Sequence, residues 1–259
     1  MIRRIAFIHT VAMLVERFRP RFQSELPDAD CFHMLDESVL QDLIRQGPSS
    51  GITRRIVTLS QVAADAGAEL IVFTCSSTSP AIDTARDTVS VPILKIDDPL
   101  YARVANAPGR VGLICTASST VAPSRALLAA HAQSAGRDIA AESVLCAAAF
   151  DALASGRRDL HDRLVCEAAA ELVPRVDRIV LAQASLAHLA EPLADQLGLP
   201  VFASPELMVQ DVVARVRNRK AMTIQPGSTT AGSAASDSHN RSLLCAGPSL
   251  QHRREGHAA

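Results

Sequence analysis

The sequence predicts an α/β fold of two pseudosymmetric lobes, each a Rossmann-like or flavodoxin-like unit with a parallel sheet, with a cleft between them. Short apolar runs alternate with longer helical patterns, which favours parallel strands covered by helices on both faces. Only 3% of the 259 residues are aromatic and none is Trp, so the core is aliphatic, as suits buried parallel strands. A chain of this length can form two small domains, each with its own core.

The first half of the chain predicts strands with helices between them. Residues 51–66 form an amphipathic pattern, which Gly67 ends as a glycine does at a helix C-terminus. A further helix is expected directly after the third strand, over residues 79–88. The predicted strands are the apolar runs at 4–9, 29–35, 69–74 and 92–96.

The second half repeats this rhythm and resembles the first in sequence. Residues 69–97 align without a gap with residues 177–205, and residues 4–10 align with 110–116 at almost the same offset. Any two strand–helix units share an apolar run followed by small polar residues, which could explain either match alone. Two matches in the same order favour an internal duplication. The strands predicted here are 110–115, 139–145, 178–181 and 200–203.

The duplication sets the expected domain boundaries. Residues 1–98 together with 205–219 form the first lobe, and residues 99–204 form the second. The segment 220–259 is rich in Ser, Gly, Thr, Ala and His and has little periodicity, so it is predicted to be a disordered tail.

Composition argues against several classes of partner. The net charge of −1 gives no reason to expect nucleic acid or a membrane surface. No apolar run approaches the roughly 18 residues of a membrane span, and the N-terminus lacks the apolar stretch of a signal peptide. The six cysteines are scattered without a CxxC pair, so free thiols and a cytoplasmic location are expected.

Cofactor motifs are missing from the sequence. It contains no GxGxxG or Walker pattern, so nucleotide binding has no support. His239, His252 and His257 in the tail do not have the spacing of metal ligands. Neither a cofactor nor a metal is expected.

An open α/β sheet binds its ligands beyond the carboxyl ends of its strands and at helix N-termini. Four segments of this chain are expected at such positions: 9–10, 74–78, 116–120 and 183–185. Three of them are rich in hydroxyl groups. Hydroxyls and amide N–H groups together bind a carboxylate without a cation. The sequence therefore predicts a small carboxylate substrate, and the candidate binding residues are His9, Thr10, Ser76, Ser77, Thr78, Thr116, Ser118, Ser119, Thr120 and Ser185.

Cys75 is the sharpest single feature, because it lies between a buried strand and a helix. A thiol at a helix N-terminus is expected to have a pKa below its free value of about 8.5, and it could act as acid, base or nucleophile. The alternative is a small buried apolar residue, as most cysteines are. The alignment of the two halves places Gln183 at the matching position, and a neutral amide has no pKa useful for proton transfer.

Several polar residues near the second strand have simpler explanations. His33, Asp36 and Glu37 follow that strand and could face the cleft, although Asp36 is better explained as a helix cap. Arg54 and Arg55 are expected on a solvated helix face.

Cys115, His9 and His188, which lie near the ends of other strands, also have simpler explanations than a catalytic role. Cys115 and His9 end the first strand of each lobe, and a structural or substrate-binding role explains them better than that of a replacement base. His188 lies inside the helix after Gln183 and is expected to be a surface or packed residue.

Three segments resemble motifs of the aspartate/glutamate/hydantoin racemase superfamily. Residues 71–78, Ile-Val-Phe-Thr-Cys-Ser-Ser-Thr, resemble its first cysteine motif. Residues 111–121 resemble the start of its second lobe, and residues 179–186 stand where the second cysteine motif belongs. The resemblance covers roughly residues 3–217.

The resemblance implies an isomerase or racemase that needs neither pyridoxal phosphate nor metal and holds its substrate between two lobes. In such racemases one cysteine removes the α-proton and the other delivers a proton to the opposite face. Gln183 stands at the second position, so two-base racemisation is not expected here.

The superfamily offers alternatives that use one thiol. Maleate isomerases use it as a nucleophile, and arylmalonate decarboxylases protonate a carbanion with a single cysteine. In those decarboxylases the cysteine belongs to the second lobe, whereas Cys75 belongs to the first. A non-catalytic binding protein for small acids is a further alternative, and a homodimer is left open.

Overall fold

The first half of the chain alternates strands and helices close to the predicted positions. The structure, a computed structural model, describes the backbone of residues 2–224 and the side chains of residues 2–218. The elements of this half are β1 (Arg4–His9), α1 (Ala12–Glu25), β2 (Asp30–Leu35), α2 (Glu37–Gln46), α3 (Ser50–Asp65), β3 (Leu70–Phe73), α4 (Ser79–Arg86), β4 (Ile93–Lys95) and α5 (Asp98–Ala105).

The second half follows the same order and ends in a long helix. Its elements are β5 (Val111–Cys115), α6 (Ser118–Ser134), β6 (Ala141–Leu145), α7 (Ala147–Ala154), α8 (Arg158–Leu172), β7 (Arg178–Leu181), α9 (Ala190–Leu197), β8 (Val201–Ala203) and α10 (Ser204–Ile224). Helix α10 continues through residues 220–224, the first part of the segment predicted to be a tail. Residues 225–259 lie outside the described residues.

The strands form two parallel four-stranded sheets, ordered β2-β1-β3-β4 and β6-β5-β7-β8. The predicted α/β fold with two parallel sheets is therefore confirmed. The repeat in the sequence is also a repeat in strand register. Ile5 pairs with Leu70 in the first sheet, and Val111 pairs with Arg178 in the second. Both pairs join positions that the alignment of the two halves makes equivalent. The exact lobe boundaries stay a prediction.

The central strands are buried on both faces, which explains why their sequences are continuously apolar rather than alternating. All side chains of β3 and of β7 are buried. On one face of the first sheet, Phe7 packs against Phe18 and Phe22 of α1. On the other face, Ala6 and Ile8 pack with residues of α2, α3 and α4.

The helices that follow the last strand of each sheet pack on the core of the other half. Leu100 and Tyr101 of α5 join the core around β5 and β7. Val209 and Val212 of α10 join the core around β1. This exchange ties the two halves together beside the edge where the candidate site lies. Among the described residues, no helix has the length and hydrophobicity needed to cross a membrane.

Candidate active site

The two central strands of each sheet bring their carboxyl ends together. Because β1 pairs with β3 and β5 pairs with β7, all in parallel, the loops after these strands meet at one edge of each sheet. A cavity of about 50 Å³ lies among these loops. It is lined from both halves of the chain by Thr10, Leu40, Thr74, Cys75, Ser76, Ser77, Thr120, Gln183 and Ala184.

A larger groove of about 470 Å³ lies between α4 and α6, away from Cys75. Its lining has no thiol, and two of its cations already pair with carboxylates. Lys95 contacts Asp83 at 2.6 Å, and Arg86 contacts Asp98 at 2.7 Å. The smaller cavity is lined by the thiol of Cys75, so it is the better candidate for chemistry.

A hydroxyl cluster closes the cleft between the two halves. Ser77 Oγ lies 3.0 Å from Ser119 Oγ and 3.1 Å from Thr120 Oγ1, both on α6. Ligand pockets usually measure several hundred Å³, and the cavity beneath this cluster is far smaller, at about 50 Å³. The contacts of Ser77 with α6 thus close the cleft over a cavity that is smaller than a usual ligand pocket.

Cys75 occupies the turn between β3 and α4. It directly precedes a short 3-10 segment, Ser76–Thr78, and only then does α4 begin. The Cys75 carbonyl accepts hydrogen bonds from the backbone N–H and the hydroxyl of Thr78, at 3.2 and 2.7 Å. These bonds hold the turn that directs the side chain of Cys75 into the cavity.

The thiol of Cys75 has a raised pKa, so the expected lowering is wrong. Burial is the main cause, since the thiolate loses its hydration. The Thr10 hydroxyl and the backbone N–H groups of Ser77 and Thr78 oppose this rise only in part, and the carboxyl of Asp97 adds to it. Helix-end dipoles do not outweigh desolvation here, and the thiol is kept protonated near neutral pH.

Gln183 is anchored by its amide oxygen. Oε1 accepts hydrogen bonds from the backbone N–H groups of Thr116 and Ala117, at 2.5 and 3.1 Å, and from the Thr116 hydroxyl at 3.0 Å. Only oxygen can accept from these donors, which fixes the orientation of the amide. Gln183 thus fills an acceptor position at the N-terminus of α6 and also lines the cavity.

The remaining residues that were predicted to bind substrate are placed as follows. Ser119 and Thr116 make the hydrogen bonds already described, and Thr78 supports the Cys75 turn. Ser118 is exposed and does not line the cavity. Ser185 is half-buried, and its carbonyl oxygen lies 3.0 Å from His188 Nδ1.

His9 lies behind the cavity wall rather than in it. Its Nδ1 contacts Thr74 Oγ1 at 2.8 Å, and its Nε2 contacts His33 Nδ1 at 2.9 Å. Burial, the neighbouring His33 and Arg19 lower the pKa of His9 to about 3. Burial and Arg19 lower the pKa of His33 to about 4. The pair is therefore neutral and supports Thr74 by hydrogen bonding.

Asp97 is a buried carboxyl that the sequence analysis did not select. It follows β4, and the rule that ligands bind at strand carboxyl ends would have found it if extended to that strand. Burial raises the pKa of Asp97 to about 6, although the hydroxyls of Ser204 and Ser76 and the charge of Lys95 oppose the rise. Asp97 therefore titrates behind Ser76, near the thiol of Cys75.

Cys115 is a core residue. Burial raises the pKa of its thiol to about 12, and the carboxyl of Asp97 and the thiol of Cys146 add to the shift. It packs with the α5 side chains under β5. This placement agrees with a structural role.

Two expectations near α2 hold only in part, since Asp36 takes the N-cap position without a capping bond and Arg54 is exposed while Arg55 is half-buried. Asp36 stands at the N-cap position of α2 without a side-chain capping bond, and instead accepts from Ser38 Oγ at 2.7 Å and from Arg55 at 2.6 Å. Arg55 is therefore not simply solvated, since it bridges Asp36 and Asp42. Burial would raise the pKa of Asp36, but the hydrogen bonds from Ser38 and Arg55 lower it overall.

The sequence of the chain matches the family model of the Asp/Glu/Hydantoin racemases over residues 9–212. The chain belongs to this family. No curated protein matches its sequence significantly.

Solved structures share the fold of this family member at low identity. The aspartate racemase of Picrophilus torridus has a TM-score of 0.64 and 10% identity, over 83% of this chain and 94% of that one. The glutamate racemase of Francisella tularensis, in complex with D-glutamate, has a TM-score of 0.64 and 16% identity, over 85% and 82%. An arylmalonate decarboxylase has a TM-score of 0.51 and 18% identity, over 82% and 91%. At these identities the likeness shows the fold alone.

The cavity of this family member is lined by one thiol, that of Cys75, and by neutral hydrogen-bond donors. Thr10, Ser76, Thr120 and the backbone of the 3-10 turn can bind a carboxylate. The donor set suits a small anion better than a metal, because Cys75 is the only soft ligand among the cavity-lining residues.

Proposed function

We propose that this chain is a cofactor-independent enzyme that moves a proton at the α-carbon of a small carboxylate, with Cys75 as its only thiol at that carbon. One observation carries the proposal: Cys75 and Gln183 line the same cavity, and Gln183 presents an amide where two-base racemisation needs an acid–base group. An amide can hold or orient a substrate but cannot exchange a proton near neutral pH.

The reaction that best suits a single protonated thiol is the decarboxylation of a 2-substituted malonate. The bond from the α-carbon to one carboxylate breaks, carbon dioxide leaves, and the electron pair forms an enediolate with the remaining carboxylate. Cys75 then transfers its S–H proton to one face of the α-carbon, and the thiolate takes a proton from solvent. A raised thiol pKa favours this role, because the group must arrive protonated.

The neutral donors of the cavity have a matching role. Negative charge moves onto the retained carboxylate as the enediolate forms, and preorganised donors stabilise such charge. The hydroxyls of Thr10 and Thr120 and the NH₂ group of Gln183 are the donors that we assign to it. A fixed cation is not required for this step.

The proposal is tested with a panel of 2-aryl and 2-alkyl malonates in D₂O. We expect carbon dioxide release, one deuterium at the α-carbon and a product of one handedness, because only one face has a thiol. Cys75→Ser should lose turnover at least 100-fold while its melting temperature stays within a few degrees. Cys31→Ser, which changes a half-buried thiol on β2, is the matched control and should keep full activity. Unchanged turnover in Cys75→Ser would overturn the proposal.

A second candidate, an amino-acid racemase, is favoured by membership of the family. It predicts exchange of the α-proton of aspartate, glutamate or a related acid with D₂O and loss of optical activity. Gln183→Cys supplies a second thiol and should increase this exchange if the cleft binds an amino acid. Racemisation by the unchanged protein would favour this candidate over the decarboxylase. The cytoplasmic location and the homodimer stay proposals.

A further inference from the structure

A second cluster of side chains of the types that bind metals lies outside the cleft, in the second half of the chain. His161 and Asp162 belong to α8, and His188 belongs to the 3-10 segment Ala184–Leu189 that follows Gln183. His161 Nδ1 lies 2.7 Å from Asp162 Oδ1, and His188 Nε2 lies 2.9 Å from the same oxygen. One candidate ligand atom from each side chain lies within 4.8 Å of the other two.

The hydrogen-bond geometry of His188 is unusual for a neutral ring. Its Nδ1 faces the carbonyl oxygen of Ser185 at 3.0 Å, while its Nε2 faces the Asp162 carboxylate. Both partners are acceptors, but a neutral imidazole has only one N–H group. If Nδ1 donates to the Ser185 carbonyl, Nε2 faces the carboxylate without a proton, and a bound cation would satisfy both groups.

The orientation of His188 is the one that metal-binding histidines adopt. A ligating histidine usually donates its other N–H to a carbonyl or carboxylate, which fixes the tautomer and points the free nitrogen at the metal. The Ser185 carbonyl fulfils that function for Nδ1 and leaves Nε2 for a cation.

The three side chains of the cluster differ in burial. His161 is fully buried, so its ring is held in place, whereas the side chains of Asp162 and His188 are 27% and 42% exposed. The Nε2 atom of His161 has no partner in the described structure, so this ring is fixed by packing and by its contact with Asp162. The cluster is thus rigid on one side and open to solvent on the other, which gives a cation an entry path.

We propose that His161, Asp162 and His188 bind a first-row divalent cation such as Zn²⁺. Two imidazoles and one carboxylate suit this class of ion, and solvent completes the coordination. Zinc–ligand bonds of about 2.0–2.2 Å place ligand atoms roughly 3.3 Å apart, so the two short contacts must open by about half an ångström, which small side-chain rotations allow. The bound ion links α8 to the segment after Gln183.

The site lies outside the proposed catalytic cavity, so it is tested by binding and not by turnover. Full-length protein is freed of metal by dialysis against a chelator and titrated with ZnCl₂ by calorimetry, with Co²⁺ absorption as a second measurement. We expect one Zn²⁺ to bind tightly, the melting temperature to rise with added Zn²⁺, and His188→Gln to weaken binding at least tenfold. Tail histidines that bind zinc contribute equally to both proteins and cancel in the comparison.

Two variants complete the experiment. His188 is exposed, so His188→Gln should keep the metal-free melting temperature, which separates loss of the site from loss of the fold. His131 makes a similar but solitary contact, 3.4 Å from Asp98 Oδ1, and His131→Gln should bind Zn²⁺ as the unchanged protein does. Equal Zn²⁺ affinity in the unchanged protein and His188→Gln would overturn the proposal.

Discussion

Replacement of Gln183 by leucine tests whether this residue anchors the start of α6. The substitution removes an oxygen that accepts three hydrogen bonds and leaves the backbone N–H groups of Thr116 and Ala117 without their acceptor. A buried donor without a partner costs about 1–3 kcal/mol. Gln183 is only half-buried, so water can replace part of the loss, and we expect a decrease of about 2 kcal/mol in the free energy of unfolding.

A decrease of this size corresponds to a melting temperature lower by about 4–8 °C in a domain of this length. Thermal unfolding followed by circular dichroism at pH 7 measures it. Gln183→Glu keeps an acceptor at a helix N-terminus and should remain within about 1 kcal/mol of the unchanged protein. Gln61→Leu, at an exposed position of α3, is the control for adding a leucine. The reasoning is refuted if Gln183→Leu melts within about 1 °C of the unchanged protein, or if Gln183→Glu is equally destabilised.

Three further predictions concern Asp97 and Ser77 beside the cleft and Gly112 in β5. The pKa of Asp97 is about 6 when folded, above an unfolded value of about 3.9, so its contribution to stability is full below pH 4 and is lost as pH rises through 6. Between pH 4 and pH 7, the free energy of unfolding of Asp97→Asn should therefore rise by up to about 3 kcal/mol relative to that of the unchanged protein, as measured by urea unfolding. A difference that does not change with pH would contradict the assigned pKa. Gly112→Ala should cost about 1–3 kcal/mol, because the new Cβ would lie 3.0 Å from Leu172 Cδ1, and full stability would show that α8 can move aside. Ser77→Ala should lose about 1 kcal/mol with its bonds to α6, whereas the exposed Ser118→Ala should lose almost nothing, and equal losses would count against the closing role of Ser77.

The order of elements could be predicted because it depends on local pattern. Buried parallel strands such as β3 and β7 are continuously apolar, and their helices have their own period, so the sequence predicted both sheets and the place where their strands end. The motif around Cys75 could be found for the same reason, since a thiol and hydroxyls follow one another directly along the chain.

The sequence by itself predicted a duplicated α/β chain of the racemase family, with Cys75 and Gln183 at matching positions of its two halves, and the family is confirmed. Only the tertiary structure decided the environments of Cys75 and Gln183. Cys75 is desolvated by residues from distant parts of the chain, so its pKa rises although its local position suggested the opposite. Gln183 is anchored by backbone groups 66 and 67 residues away. Desolvation and long-range hydrogen bonds depend on which segments of the chain come into contact, and a local sequence pattern does not show these contacts.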